Sequence, residues 1–295
     1  MALPVVATKS SNKAASSSVA VTAPTGITTG DTLLASVTSF RFSGTTTITA
    51  PAGWTQLHQA GDEKVKTAAF KKIAVSADET ESNYTFTSTT GGSADEITAS
   101  ILRITGAAAG NEITVSEIDT IANGTDTVIS HTASSTPPTG ETLVVMATGG
   151  GGFTIGGAIV TTSAYTSTNS LTWTEQMDDG FRNGGSDGSS HSVATAPYTG
   201  TTEFTAYGYT RSVDFDEEDT GILIFVSAPE SATGTNALLS VSPTHLAQAG
   251  VAGTIGTNTL LDVSPTMLDQ SGRGETPTVW TPEVKTATTW TPEIK

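Results

Sequence analysis

The chain predicts an all-β protein: two related β-sandwich units of jelly-roll type, followed by an extended arm that carries short repeats. Three observations lead there. A strand-like motif is said twice, as Gly30-Asp31-Thr32-Leu33-Leu34-Ala35-Ser36-Val37 and as Gly140-Glu141-Thr142-Leu143-Val144-Val145-Met146-Ala147. Charged residues make up only 14% of the 295, against a usual quarter; Thr, Ser, Gly and Ala take their place, and these suit strands and turns better than helices. The apolar runs are short and recur with turn signals roughly every 8–12 residues, the spacing of a sandwich or jelly roll.

Each copy of the motif follows a Pro-Thr-Gly turn, Pro24-Thr25-Gly26 and Pro138-Thr139-Gly140. Proline presets φ and glycine frees the turn, so both runs read as buried strands entered from a tight bend. The echo continues through Trp54-Thr55-Gln56 and Trp173-Thr174-Glu175, then Thr98–Ile104 and Thr220–Val226. The offset drifts from 110 at the glycines (140 − 30) to 119 at the tryptophans and 122 at the closing strands, drift that surface loops absorb. The expected units are residues 1–109 and 110–229.

In chain order, residues 10–18 read as a loose lead-in and Val19-Ala20-Val21 as the first core strand. Strands follow at the Gly30 motif, Thr45–Ala50, Ala68–Ala74, Tyr84–Thr87 and Ile101–Ile104, with Trp54 plugging one sandwich edge. The second unit opens at Ile113–Ser116 and Thr127–Ser130. After the Gly140 strand, Gly149–Gly152 reads as a flexible loop and Asp178–Gly188 as a long exposed one. Glu203–Tyr207 matches the Tyr84 strand, and an acidic turn, Asp214–Asp219, leads into the last apolar run.

From about residue 230 the grammar changes. Gly234–Leu246 recurs 22 residues later as Gly256–Leu268, and Trp280-Thr281-Pro282-Glu283-Val284-Lys285 recurs ten residues on as Trp290-Thr291-Pro292-Glu293-Ile294-Lys295. Repeats this short bury no core alone. Leu238, Leu239, Leu260, Leu261, Trp280 and Trp290 are therefore the expected docking positions of an arm that binds something else.

Composition narrows the function. Thirteen basic against 29 acidic residues give a net charge of −16, which repels nucleic acid and anionic membranes. With no cysteine there is no disulfide, thiolate metal site or Cys nucleophile. The N-terminus lacks a basic n-region and a long apolar run, so no secretory signal and no membrane insertion are expected.

Chemistry is sought and not found. Gly184-Gly185-Ser186-Asp187-Gly188 has the Gly-x-Ser-x-Gly form, but that elbow needs a strand before it and a helix after it; the flanks, with His191 beyond, read as polar loop. Asp178-Asp179 and Asp214–Asp219 lack the ordered spacing of a Ca²⁺ loop. His58, His131, His191 and His245 are scattered, without zinc spacing. Trp54 and Trp173 fit core positions of two related units better than sugar-stacking platforms. No catalytic residue, metal ligand or cofactor is expected.

The order Pro-Thr-Gly, Gly-Asp-Thr-Leu-Leu-Ala, Pro-Ala-Gly-Trp-Thr, Phe-Lys-Lys-Ile-Ala, Tyr-Thr-Phe, Ile-Leu-Arg-Ile-Thr-Gly over residues 1–229 resembles duplicated β-sandwich structural proteins of tailed-bacteriophage virions, of the minor-tail or head-decoration type. The resemblance implies a non-enzymatic virion component, on a capsid or in a fibre, that meets other virion proteins and self-associates. An alternative is a tail adhesin whose Gly149–Gly152 and Asp178–Asp187 loops grip a host surface glycan. A polysaccharide depolymerase would need paired carboxylates in a cleft.

Overall fold

Among the described residues, sixteen strands form two eight-stranded halves with one pairing scheme. The computed structural model describes residues 3–40, 46–61, 64–89, 96–107, 113–122, 127–152, 160–183, 187–212 and 218–229. The first half holds β1 (Val5–Ala14), β2 (Ser18–Thr22), β3 (Thr32–Phe40), β4 (Ile48–Thr49), β5 (Thr55–Ala60), β6 (Val65–Ile73), β7 (Asn83–Ser88) and β8 (Glu96–Thr105). The second holds β9 (Ile113–Ala122), β10 (Val128–Ser135), β11 (Thr142–Gly152), β12 (Thr162–Ser167), β13 (Thr174–Asn183), β14 (Asp187–Tyr198), β15 (Phe204–Arg211) and β16 (Glu218–Ser227).

The first half pairs as β1-β8-β3-β6-β5 and β2-β7-β4; the second as β13-β14-β11-β16-β9 and β10-β15-β12. Adding eight to each first-half label gives the second. In an eight-stranded jelly roll, strands 1, 8, 3 and 6 share one sheet and 2, 7, 4 and 5 the other. Here the fifth strand has joined the sixth instead. β4 is only two residues long and offers it almost no edge.

Three cores separate four layers. Leu33, Ala35, Val37, Phe70, Phe86 and Ile101 fill the space between the two sheets of the first half. Val144, Met146, Phe204, Tyr207 and Phe225 do so in the second. Between them the two five-stranded sheets pack face to face through Leu34, Leu102, Ile104, Leu143, Val145, Val193 and Ile224. This third core explains the strand patterns. β7 alternates exposed and buried positions, as a strand with one wet face must. β3 and β11 are buried at every position, because both of their faces are dry. Central strands without a wet face also need few charged residues.

Several expectations are corrected. Residues 10–14 belong to β1 rather than to a lead-in. Asp178–Gly188 is mostly a β13–β14 hairpin, with Asp187 paired to Asn183; residues 184–186 lie outside the described set. Gly149–Gly152 is no loop. It is the end of β11, paired with β14 throughout and with β16 as far as Gly151. Glycine is needed there because the facing sheet lies so close: a Cβ on Gly149 would collide with the Thr38 and Thr67 side chains, and one on Gly151 with the Phe40 ring. Of the acidic turn, Glu218 and Asp219 are already in β16.

The echoed motif also hides a slip. Leu33 and Leu143 occupy the same place in the repeated text, yet Leu33 points into its own sandwich and Leu143 into the core between the halves. A one-residue shift reverses every side chain of a strand.

Trp54 and Trp173 stand where a core role requires. Trp54 meets Tyr84 edge-on at 5.2 Å and Phe86 at 5.6 Å between ring centroids, while Trp173 packs on the second core. Phe86, fully buried, also meets Phe70 at 5.9 Å. Phe86→Ala should cost about 3–5 kcal/mol in urea unfolding, and a loss under 1 kcal/mol would show that this aromatic cluster does not hold the first core.

Candidate functional site

The polar side chains that the fold draws together lie in the layer between the two five-stranded sheets. Thr38 on β3, Thr67 on β6 and Ser100 on β8 face His191 on β14 and Thr220 on β16. All five are at most 1% exposed. Next to them along the strands stand mainly apolar and small residues, such as Val37, Ala68, Ala99, Ile101 and Gly221, so the local sequence builds a strand and tertiary packing buries the polar atoms.

These groups form one chain of hydrogen bonds. His191 Nε2 lies 2.9 Å from Ser100 Oγ and His191 Nδ1 2.9 Å from Thr38 Oγ1. Thr38 meets Thr67 at 3.0 Å, and Thr67 meets Thr220 at 2.5 Å. Thr220 donates to the Gly149 carbonyl at 3.2 Å. A hydroxyl has one proton to give, so the end of the chain sets its direction. Thr220 gives its proton to the carbonyl and accepts from Thr67, which accepts from Thr38. Thr38 then accepts from the ring, which assigns His191 the Nδ1–H tautomer and leaves Nε2 to accept from Ser100.

A serine hydroxyl on an imidazole is also the beginning of a nucleophile–base pair. Here it is not one. The third group is a threonine hydroxyl rather than a carboxylate, and both Ser100 and His191 are sealed from solvent. Burial pushes His191 down from 6.5 to about 4, against an opposing pull from Asp179, which makes it a poor base at neutral pH. The arrangement clamps two sheets together.

Other ionisable groups are spent in the same way. Arg211 on β15, 2% exposed, pairs with Asp219 on β16 at 2.8 Å, and Tyr209 donates to the same carboxylate at 3.2 Å. Burial, with the Asp219 charge, pushes the Tyr209 hydroxyl well up. His131 stacks on Tyr207 and Tyr209, with centroids 5.1 and 5.7 Å apart. At the end of the first half Asp78 accepts from Lys72 at 2.6 Å and Tyr84 at 2.8 Å. Burial pushes the Asp78 carboxyl up, but its bonds from Lys72, Val75 and Tyr84 win and hold it below the usual range. Asp31, the acid of the first motif, accepts from the Thr28 amide at 2.8 Å and from Arg103 at 2.6 Å, so it fixes the turn that enters β3.

The sequence candidates scatter. Asp179 accepts from Ser11 at 2.7 Å and from Lys13 at 3.4 Å. Asp178 accepts from the Thr162 amide at 3.0 Å. Burial first, then Glu175 and Asp179, push the Asp178 carboxyl up to about 6, against that amide bond. No three His, Asp or Glu residues are placed to hold a metal among the described residues. His191, read as part of a polar loop, is a strand residue. His58 stands apart on β5. The docking positions Leu238, Leu239, Leu260, Leu261, Trp280 and Trp290, like His245 and Asp214, lie outside the described residues. Arg211 and Asp219 were not anticipated as a pair; the visible signal was Tyr207-x-Tyr209-x-Arg211, three large side chains on one face of a strand.

Two predictions follow from the clamps. Asp219→Ala should cost about 3–5 kcal/mol by leaving the Arg211 charge in the interior without its carboxylate, while Arg211→Met with Asp219→Leu should recover most of it in the same urea titration. For His191, the folded ring binds its proton near 4 and the free ring near 6.5. The unfolded chain therefore takes up the proton first as pH falls, and the stability His191 contributes is complete above 6.5 and lost towards 4. Asp178 works in the opposite sense, its contribution present at low pH and lost as pH rises through about 6. Comparing Tm of wild type with His191→Gln cancels that term: the gap should narrow as pH drops from neutrality to 4, and a constant gap would refute the buried neutral ring.

No protein-family model, characterised protein or solved structure matches the chain.

Proposed function

We propose that the chain is a non-enzymatic structural protein of a tailed-bacteriophage virion, exposed on the particle as a capsid decoration or fibre component and anchored or oligomerised through its C-terminal repeats. The observation that carries this reading is the back-to-back union of two jelly rolls. Their central sheets spend serine, threonine and histidine groups on holding the halves together, an arrangement suited to a rigid displayed body. The buried ionisable groups Arg211, Asp219, Asp78 and His191 each bind another part of the fold. The order of motifs across residues 1–229, with its resemblance to duplicated virion β-sandwich proteins, supplies the biological setting. A surface of net charge −16 keeps such a body soluble and away from nucleic acid.

Residues 230–295 are assigned the attachment role, with other virion proteins or further copies of this chain as partners. Leu238, Leu239, Leu260, Leu261, Trp280 and Trp290 are the anchors, because aromatic and aliphatic side chains carried on short repeats gain most when a partner covers them.

The test uses particles from a phage lacking this chain. Full-length protein and a form ending at Pro229 are added back, with thermal melting to verify that the shortened form is folded. Full-length protein should bind in fixed stoichiometry and the shortened form at least tenfold more weakly. Equal binding by both would move the attachment surface onto the sandwiches, and binding by neither would remove the virion assignment.

A further inference from the structure

The two halves meet as the subunits of a two-fold dimer do. The echoed closing strands begin at Thr98 and Thr220, and the pairing registers carry that correspondence to the neighbouring strands. Thr38 lies opposite Thr67 and Thr98 on its neighbouring strands; Gly149 lies opposite His191 and Thr220. Gly149 thus holds the place of Thr38, His191 that of Thr67, and Gly151 that of Phe40. The contacts come in reciprocal pairs. β6 packs on β11 as β14 packs on β3, and β1 touches β13 as β5 touches β9. Such reciprocity is the mark of an isologous interface.

On the axis of a true two-fold, a residue meets its own copy. In this chain the axial positions are unlike. Thr38 faces Gly149, and the fully buried Phe40 ring lies where a Gly151 side chain would be. Two first halves joined the same way would set Phe40 against Phe40 and Thr38 against Thr38, which overpacks a closed layer. Two second halves would set glycine against glycine and leave a void. His191 finds Thr38 and Ser100 only on the other half.

We propose that this seam is a dimer interface made unlike: the five-stranded sheet of each half takes the other half as its partner and rejects a second copy of itself, with Phe40 and Thr38 as projections and Gly151 and Gly149 as their sockets. The full-length protein tests the fit. Gly151→Leu and Phe40→Ala should each lower Tm, and the double variant should regain more than half of the Tm lost by Gly151→Leu alone. Shifts that simply add would overturn the proposal.

A second measurement serves if a variant does not fold. A protease site inserted after Ala107 of the full-length protein is cut, and the product is weighed by native mass spectrometry. The halves should stay as a 1:1 complex and, when cut protein and isotope-labelled cut protein are unfolded together and refolded, give only unlike pairs. Dissociation on cutting, or pairs of two first halves, would overturn it.

Discussion

The rest of the structure depends on two five-stranded sheets packed face to face through a layer of buried apolar side chains. A sheet in an ordinary sandwich has one dry face and one wet face. The central strands of these two have none that is wet, so a polar side chain on their inner face must find its partner inside the protein. The chain from Ser100 through His191, Thr38, Thr67 and Thr220 to the Gly149 carbonyl meets that demand for its own five side chains. Each member gives and receives where its chemistry allows, and the order of donors fixes the tautomer of the only ring in it. The same dryness explains why His191 stays neutral and why it is a fastener.

The close approach that makes the layer dry also sets its composition. Gly149 and Gly151 bring the β11 backbone close to the Thr38 and Phe40 side chains, while Leu34, Leu102, Val145 and Ile224 fill the remainder. On the outer sides, charge is used differently. Arg211–Asp219, Lys72–Asp78 and Arg103–Asp31 each tie one strand or turn to another part of its own half, so the sandwiches are fastened individually as well as to each other.

Much of this was legible in the sequence. The all-β, jelly-roll-like class followed from short apolar runs and turn chemistry, and the structure has that class. The tryptophans stood out because they recurred at matching places, and both pack on cores. What could not be read were features created by distant strands. Four glycines in a row look like a loop until a second sheet is known to lie over them. Asp178–Gly188 is as polar as any loop, yet β14 supplies it with a strand partner. His191 carries no spacing signal because its partners, Thr38 and Ser100, come from the other half. Burial at the start of β3 and β11 was implied by the apolar runs Leu33–Ala35 and Leu143–Ala147, but which side each residue faced was not.

The slip between Leu33 and Leu143 has an evolutionary reading. In a sheet with one wet side, gaining or losing a residue at the entrance to a strand throws its oily side chains into water, and selection removes the change. A strand with oil on both sides can be turned over and still be at home. The innermost strands of this protein, ordinarily the most constrained part of a fold, are thus the ones in which a change of register exposes least apolar surface. Their identity is kept by the turns at their ends and by the few positions where a hydroxyl or a missing side chain must meet its counterpart.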